Sequence, residues 1–425
     1  MKIAVIGSGI SGNVAAYYLS RQHDVTLFEK RDRLGGHSAT VDITYHHPDE
    51  RMSVDTGFIV YNELNYPGLT QLFAELGVET EQSNMSFGFS ANSGALEWSG
   101  QSLSSVFAQK RNLLKPFFWR MLRDIFRFNK AAARDHEAGY LGDKTLGEWL
   151  DLYGFSESFR NRYLLPMGAA IWSTPASEIE AFPARSFLHF FYNHRLINHD
   201  RPQWRTVRGG SREYVRKLSA ATQAHTILNA QVTSVERRDD KVFVHANGQE
   251  EAFDEVVFAT HSDQALAALT DASAEERAIL SAVRYRPNQV YLHCDDQLMP
   301  QRRSVWSAWN YLTDGRLSQN GTMTVSYWMN LLQNLDNDKP VFVTLNPAIP
   351  PAAEKTFGHF VYDHPQFDKA ALHAQQALDT IQGMNGVWFC GAWTGYGFHE
   401  DGLQSALRVC DGLEAASDAV REAAE

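Results

Sequence analysis

Three cysteines stand in 425 residues, Cys294, Cys390 and Cys410, an odd number with no CxxC spacing. That scarcity excludes a disulfide framework and a zinc knuckle, and it suits a reducing compartment. No run of eighteen apolar residues occurs, so no conventional membrane-spanning helix is expected, while attachment to a membrane surface stays open. No apolar stretch of secretory length with a small-residue cleavage site opens the chain, and we read no export signal. The expectation is a cytoplasmic protein. Positive charge is in short supply as well: the formal net charge is −11, which argues against nucleic acid as a partner, because phosphate neutralisation needs a basic surface.

What is present fits an ordinary globular chain, with 44% hydrophobic, 21% charged and 12% aromatic residues and no evident internal repeat. The length is two to three times that of a usual domain, so two domains are expected. Lys2 to Ile6 form an apolar run that ends at Gly7, Gly12 opens a segment with Val14, Ala15, Tyr18 and Leu19 at helical spacing, and Asp24 to Glu29 is a second strand-like run. Strand, tight turn, helix and strand within about thirty residues form a βαβ unit. Its turn reads Gly7-Ser-Gly9-Ile-Ser11-Gly12, with Glu29 seventeen residues beyond the last glycine. The first glycine permits the turn, the second lets backbone approach a pyrophosphate, and the third lets helix and strand pack closely. The helix N-terminus favours the anion, and Glu29 accepts from ribose hydroxyls. This motif alone does not decide between FAD and NAD. No second such motif follows a later strand, so no separate pyridine-nucleotide site is expected.

Lys30 and Arg33-Leu-Gly35-Gly36-His37 follow directly, where another glycine pair lets backbone approach a long dinucleotide. That arrangement resembles the extended fingerprint of the FAD-dependent amine oxidase and carotenoid desaturase superfamily. Val54-Asp55-Thr56-Gly57-Phe58 resembles its segment beneath the flavin, and Arg208-Gly209-Gly210 the turn that re-enters the FAD domain. Asn229 to Val235, with Val232, is similar to the strand at the adenosine end, and Val256 to Thr260 to the returning strand. Gly391, Trp393, Thr394, Gly402 and Leu403 lie in a stretch that resembles the C-terminal block, where a helix N-terminus points at the flavin. The resemblance implies an α/β fold: a Rossmann-like, glutathione reductase-like FAD-binding domain of the amine oxidase type, interleaved with an α+β substrate domain. The FAD-binding domain is expected over 1–85, 205–265 and 386–425, and the substrate domain over 86–204 and 266–385.

The last block departs from the monoamine oxidase pattern. Trp393 stands where those enzymes carry an acid for the ribityl chain, and His399 stands where they carry an aromatic residue of the amine cage. An indole cannot replace a carboxylate acceptor, and an imidazole can move protons. Trp393 either packs beside the cofactor or touches it. His399 is the candidate catalytic base, or else it caps the helix that follows. The cysteine of covalent flavin attachment is missing from the block, so noncovalent FAD is expected. Lys339 and Lys355 are candidates for a lysine assisting flavin reoxidation, with no surrounding motif for either. His189, His194 and His199 recur every five residues, which scatters them around a helix, and no metal site is expected.

One stretch reverses the acidic balance. Gln109 to Lys130 carries seven basic residues against one acid, interleaved with Phe117, Phe118, Trp119, Phe126 and Phe128. It reads either as a solvated helix face or as a peripheral contact with the inner membrane surface. Segments Tyr163–Trp172, Phe187–Tyr192 and Tyr327–Leu332 are apolar and aromatic, and suit the walls of a site for a long apolar substrate.

Residues 54–78, 182–196, 203–215, 327–335 and 341–347 resemble a narrower branch, the bacterial flavoproteins related to the flavin-containing N-terminal part of plant cyclopropane fatty acid synthases. That resemblance implies desaturation or isomerisation of an unsaturated or methyl-branched fatty acyl chain by hydride transfer to flavin. The alternatives are an oxidase of soluble amines and a non-catalytic flavoprotein partner of a lipid methyltransferase.

Overall fold

The computed structural model describes residues 1–45, 47, 49–139, 142–198, 200, 202–313 and 324–424. Its opening strand β1 (Lys2–Ile6) is apolar from Ile3 onward and lies between two parallel neighbours. Helix α1 (Ile10–Leu19) returns the chain to strand β2 (Asp24–Phe28), which pairs in register with β1 from Lys2↔Asp24 to Ile6↔Phe28. The whole sheet is parallel, in the order His225–Ile227, β2, β1, Glu255–Phe258, Val387–Phe389. Parallel strands are covered on both faces, which is why Ile3, Ala4, Val5, Val256 and Val257 are all fully buried.

The chain from His225 to Arg238 forms two strands. Its first residues end the parallel sheet, and Val232–Arg238 begins an antiparallel meander with Lys241–Ala246 and Gln249–Phe253. The hairpin turns are Asp239-Asp240 and Asn247-Gly248, all four residues at positive φ. That conformation matches strand twist in two-residue loops and favours Asn, Asp and Gly.

A second, larger sheet has seven strands: Thr356–Gln366, Arg284–His293, Phe342–Leu345, Thr324–Trp328, Trp309–Thr313, Phe87–Ala91 and Leu96–Ser99. All neighbours are antiparallel except Trp309–Thr313 with Phe87–Ala91. Chain segments almost 200 residues apart thus share one sheet. Helices between Pro116 and Asn193 share a core with this sheet, built on Phe118, Phe128, Trp149, Phe159, Phe187 and Phe191.

Packing cuts across the boundaries drawn from sequence at 266 and 385. Leu269, Ile279, Leu280 and Val283, with Ala371, Ala374, Leu378 and Ile381, bury themselves in the cluster that contains Ala4, Val256 and Phe389 of the parallel sheet. Helices Ser262–Ala268, Ala274–Leu280 and Lys369–Ala377 therefore pack with the first sheet. The long helix His399–Ala424 lies against α1 and presents Leu403, Ala406, Val409 and Leu413 to the other face.

Candidate functional site

The three glycines of the opening turn have three different surroundings. A Cβ on Gly7, which has φ +97°, would lie 2.9 Å from the Ala259 carbonyl oxygen; on Gly12 it would lie 1.8 Å from that of Gly7. Gly9 has nothing within 4 Å in that direction. The outer two glycines thus make turn and helix fit against the sheet, while the middle one leaves an opening at the helix N-terminus. Gly36 closes on the same turn, its Cβ position being 3.0 Å from the Gly9 Cα. At the end of β2 the buried Glu29 carboxylate accepts from the Ser8 N–H at 2.9 Å, from the Ser8 hydroxyl and from the Arg31 N–H at 2.8 Å.

A cavity of about 720 Å³ runs along this turn and on to the seven-stranded sheet. Of the residues singled out from sequence, Gly7, Gly9, Ser11, Glu29, Lys30, Gly35, Gly36, His37, Thr56, Gly57, Val232, Thr260, Gly391, Trp393 and His399 line it. Gly12, Arg33, Asp55, Thr394, Gly402 and Leu403 do not, and each has another task. Gly12 provides the helix packing just described. The Arg33 guanidinium folds back and donates to the carbonyls of Gly36, Leu34 and Ser38, holding the glycine turn from behind.

Asp55 is fully buried. It accepts from the Ser211 N–H and hydroxyl, the Thr40 hydroxyl and the Gln333 amide, while its own N–H donates to Gln333. It clasps Arg51–Asp55 to the start of helix Arg212–Ala221 and so positions Thr56 and Gly57 at the cavity. The Thr394 hydroxyl donates to Gly391 O. Gly402 lets the long helix approach Ile10 and Ser11, and its carbonyl accepts from the Ser11 hydroxyl. Leu403 belongs to the core. Trp393 lines the cavity, packs into the core, and donates its indole N–H to Thr260 O at 3.2 Å.

The far end of the cavity is apolar and aromatic. Ile59, Val60, Tyr66, Ile171, Trp172, Trp204, Val290, Trp309, Tyr327, Leu345, Tyr396 and Phe398 form its wall. Only fragments of the apolar segments noted in sequence reach it. Ile171 and Trp172 do, at the end of helix Leu165–Trp172, where Ser173 turns the chain at φ +51°. Tyr327 does as well, whereas Phe187, Phe190 and Phe191 are core. Trp204, Val290, Trp309, Leu345, Tyr362, His364 and Tyr396 were missed, because single residues on separate strands and loops leave no local pattern. Lys339 pairs with Glu50 and Asp336, and Lys355 with Asp295; neither lysine lines the cavity. His199 lies outside the described residues.

His399 is stacked on Phe58 with centroids 3.7 Å apart, and its Nε2 lies 2.9 Å from the Ser38 hydroxyl and 3.1 Å from that of Tyr214. Burial lowers its pKa to about 3. Burial holds such a ring neutral and weakens it as a proton acceptor. The side chain does not cap the following helix. Its ring and hydroxyl partners brace the wall between the glycine turn and the cavity. Burial likewise lowers His364 to about 4 and pushes His37 well down, with repulsion from neighbouring histidines adding to both. The histidines lining this part of the wall are therefore uncharged near neutral pH.

A βαβ turn with an open helix N-terminus, an acid at the end of the second strand and an elongated cavity continuing into a second domain define a dinucleotide-dependent enzyme whose cofactor reaches the substrate end. The chain belongs to the family of flavin-containing amine oxidoreductases, whose model matches residues 10–345. The cofactor of that family is FAD. Its curated relatives include a candidate flavin-containing monoamine oxidase, AofH, of Mycobacterium tuberculosis, 27% identical over 266 residues, or 59% of this chain and 55% of that one. Another is a 4,4'-diapolycopen-4-al dehydrogenase of Metabacillus indicus, 36% identical over 83 residues, or 19% and 15% of the two chains. The chain thus spans about half the length of the first relative and less of the second.

Two solved structures share the fold. One is a fatty acid isomerase from P. acnes that produces CLA, with TM-score 0.68, 15% identity and 95% and 96% of the two chains covered. The other is a cyclohexylamine oxidase from Brevibacterium oxydans, with TM-score 0.66, 15% identity and 97% and 99% covered.

The site suits FAD on its own geometry. Glu29 and Val232 can hold the adenosine end; the open face at Gly9, with Ser11 and Gly36, can take the pyrophosphate; Thr56, Gly57 and Gly391 border the part of the cavity that leads to the apolar wall. No cysteine is among the lining residues, and Cys390 is buried in the core, so no thioether link is available there.

Proposed function

We propose that the protein is an FAD-dependent oxidoreductase that desaturates or isomerises a fatty acyl chain. When bound, the flavin supplies a hydride acceptor. The protein's own part is to align the chain, exclude water and keep the surroundings uncharged. One observation carries the reading: Ile59, Val60, Ile171, Trp172, Trp204, Val290, Trp309 and Leu345 give the cavity a wall that is mostly hydrocarbon and aromatic ring. The two carboxylates lining the whole cavity are Glu29 and Asp363, and Glu29 already accepts from Ser8 and Arg31 at the nucleotide end. On such a wall an acyl chain gains about 0.8 kcal/mol for each methylene removed from water.

The test is anaerobic titration of the yellow holoprotein with detergent-dispersed unsaturated and methyl-branched acyl lipids, with mass spectrometry of the products. Flavin bleaching or a shifted double bond is the expected result. Rapid bleaching by a soluble amine, with every acyl lipid unchanged, overturns the proposal in favour of amine oxidation.

A further inference from the structure

Helix Pro116–Glu137 is amphipathic in an unusual way. Its inner stripe is Phe118, Met121, Phe128 and Ala132, all buried. Its outer stripe, where polar residues are expected, has Trp119, Arg123, Phe126 and Lys130 at spacings of four, three and four, so they share one face. Trp119 is 50% and Phe126 65% exposed. The patch continues beyond the helix: the Trp119 indole donates to Leu113 O at 2.8 Å, and the Phe107 ring lies 5.5 Å from that of Trp119. These contacts bring in Leu114 at 88% and Leu103 at 81% exposure. Large apolar residues exposed together on one face mark an interaction site.

The charge around the patch says what covers it. Lys110, Arg111, Lys115, Arg120 and Lys130 flank these residues along the chain, and among the described residues none of the five forms an ion pair with a carboxylate. The one acid of the stretch, Asp124, is buried and accepts from Arg127 at 2.7 Å and from the Ser156 N–H at 3.1 Å. From Lys110 to Lys130 the exposed charges are thus all positive, in a chain of net charge −11. Burial, with smaller contributions from Arg111 and Arg162, lowers the Lys115 pKa. Protruding indole, phenyl and leucyl groups inside a cationic ring match a lipid interface, where the apolar tips enter the acyl boundary and the bases meet headgroups.

From this juxtaposition we propose that the face formed by Leu103, Leu114, Trp119 and Phe126 with its surrounding lysines and arginines docks the protein on an anionic lipid bilayer. The proposal rests on the acyl-substrate reading only for its purpose; the docking is a property of the surface itself. On its inner side the same helix packs, through Phe128 on Phe191 and Phe191 on Phe187, toward Trp172 of the cavity wall. The docked helix would therefore connect to the apolar end of the cavity through three successive ring contacts.

The experiment is cosedimentation of the holoprotein with phosphatidylcholine vesicles, with and without phosphatidylglycerol, at low and high salt. The expected result is binding to the anionic vesicles only, weakened by salt, and weaker by about fivefold for each charge removed in Lys110→Gln, Arg120→Gln and Lys130→Gln. The combined Leu114→Ser, Trp119→Ser and Phe126→Ser protein should stay yellow and folded yet lose binding at any salt.

Absence of binding to anionic vesicles, equal binding to both vesicle types, or indifference to both variant sets overturns the proposal. So does a wild-type dimer that the serine variants convert to monomer, which would make the face a contact between two copies. Turnover of detergent-dispersed substrate separates the two proposals. Failed docking leaves it intact, and a wrong substrate assignment leaves vesicle binding intact.

Discussion

The two ends of the cavity are built on opposite plans. At the nucleotide end, one stretch from Ile6 to His37 supplies most of the wall, and its recognition elements are backbone: an open helix N-terminus, glycines where a Cβ would collide, and one carboxylate held by Ser8 and Arg31. At the substrate end the wall is shared among many separate stretches, and recognition is by side-chain bulk from strands and loops between Ile59 and Phe398. Backbone recognition tolerates little change because every atom of the turn is in use. A wall of side chains can be reshaped one residue at a time. The difference teaches why the cofactor is shared across this family while named substrates among its members range from carotenoid aldehydes to amines.

The sharpest break of this contrast is at the glycines. Gly12→Ala sets a methyl 1.8 Å from the Gly7 carbonyl oxygen, so the variant should lose about 3 kcal/mol or more and give colourless, poorly folded protein. Gly9→Ala meets nothing, so its apoprotein should melt as wild type while FAD affinity falls by about tenfold, read by flavin fluorescence. Equal melting losses in the two variants would erase the distinction between packing and opening.

Asp55→Asn tests the clasp behind the wall. The carboxylate accepts from Ser211 and Thr40 at one oxygen and from the Gln333 amide at the other, whereas an Asn NH2 must face one of these donors; the expected loss is about 2 kcal/mol in urea unfolding, with Thr56 and Gly57 loosened and FAD released faster. An unchanged midpoint would mean that the clasp is incidental.

Acid should act through the buried histidines. His399 and His364 have folded pKa values of about 3 and about 4, below the ordinary 6.5. Between these limits the unfolded chain binds more protons, so stability is retained above pH 6.5 and falls as pH drops toward 4, by at most about 1.4 kcal/mol per unit for each group. Apoprotein denaturation against pH should show this slope, and His364→Gln should flatten it. The smallest effect is expected at the substrate end, where Trp309→Ala should keep FAD affinity and melting near wild type but shift the preferred acyl chain length, with kcat/KM changing roughly tenfold, about 1.4 kcal/mol of lost contact.

Much of the nucleotide end was legible because its grammar is local. Gly7, Gly9, Glu29 and Gly36 act within thirty residues of one another, and spacing along the chain is enough to relate them. Arg33 and Asp55 carry the same motif signal yet stand behind the cavity, since a motif does not distinguish a residue that touches a ligand from one that holds the residue touching it. His399 was found as a position, but its surroundings were not legible: the Ser38 and Tyr214 hydroxyls and the Phe58 ring packed around it come from three distant segments. The packing of residues 269–283 and 371–381 under the parallel sheet was invisible for the same reason.

By itself, then, the sequence determined a βαβ nucleotide site, the long-dinucleotide class of cofactor, a chain threaded through two sheets, and a cationic aromatic stretch in an acidic protein. Only the tertiary structure decided which motif residues face the cavity, what lines its far end, and that the aromatic residues of that stretch divide into Phe118 and Phe128 inside and Trp119 and Phe126 outside. The physical reason is separation. A backbone turn is specified by neighbours along the chain, whereas a wall, a buried charge state or an exposed face is specified by neighbours in space.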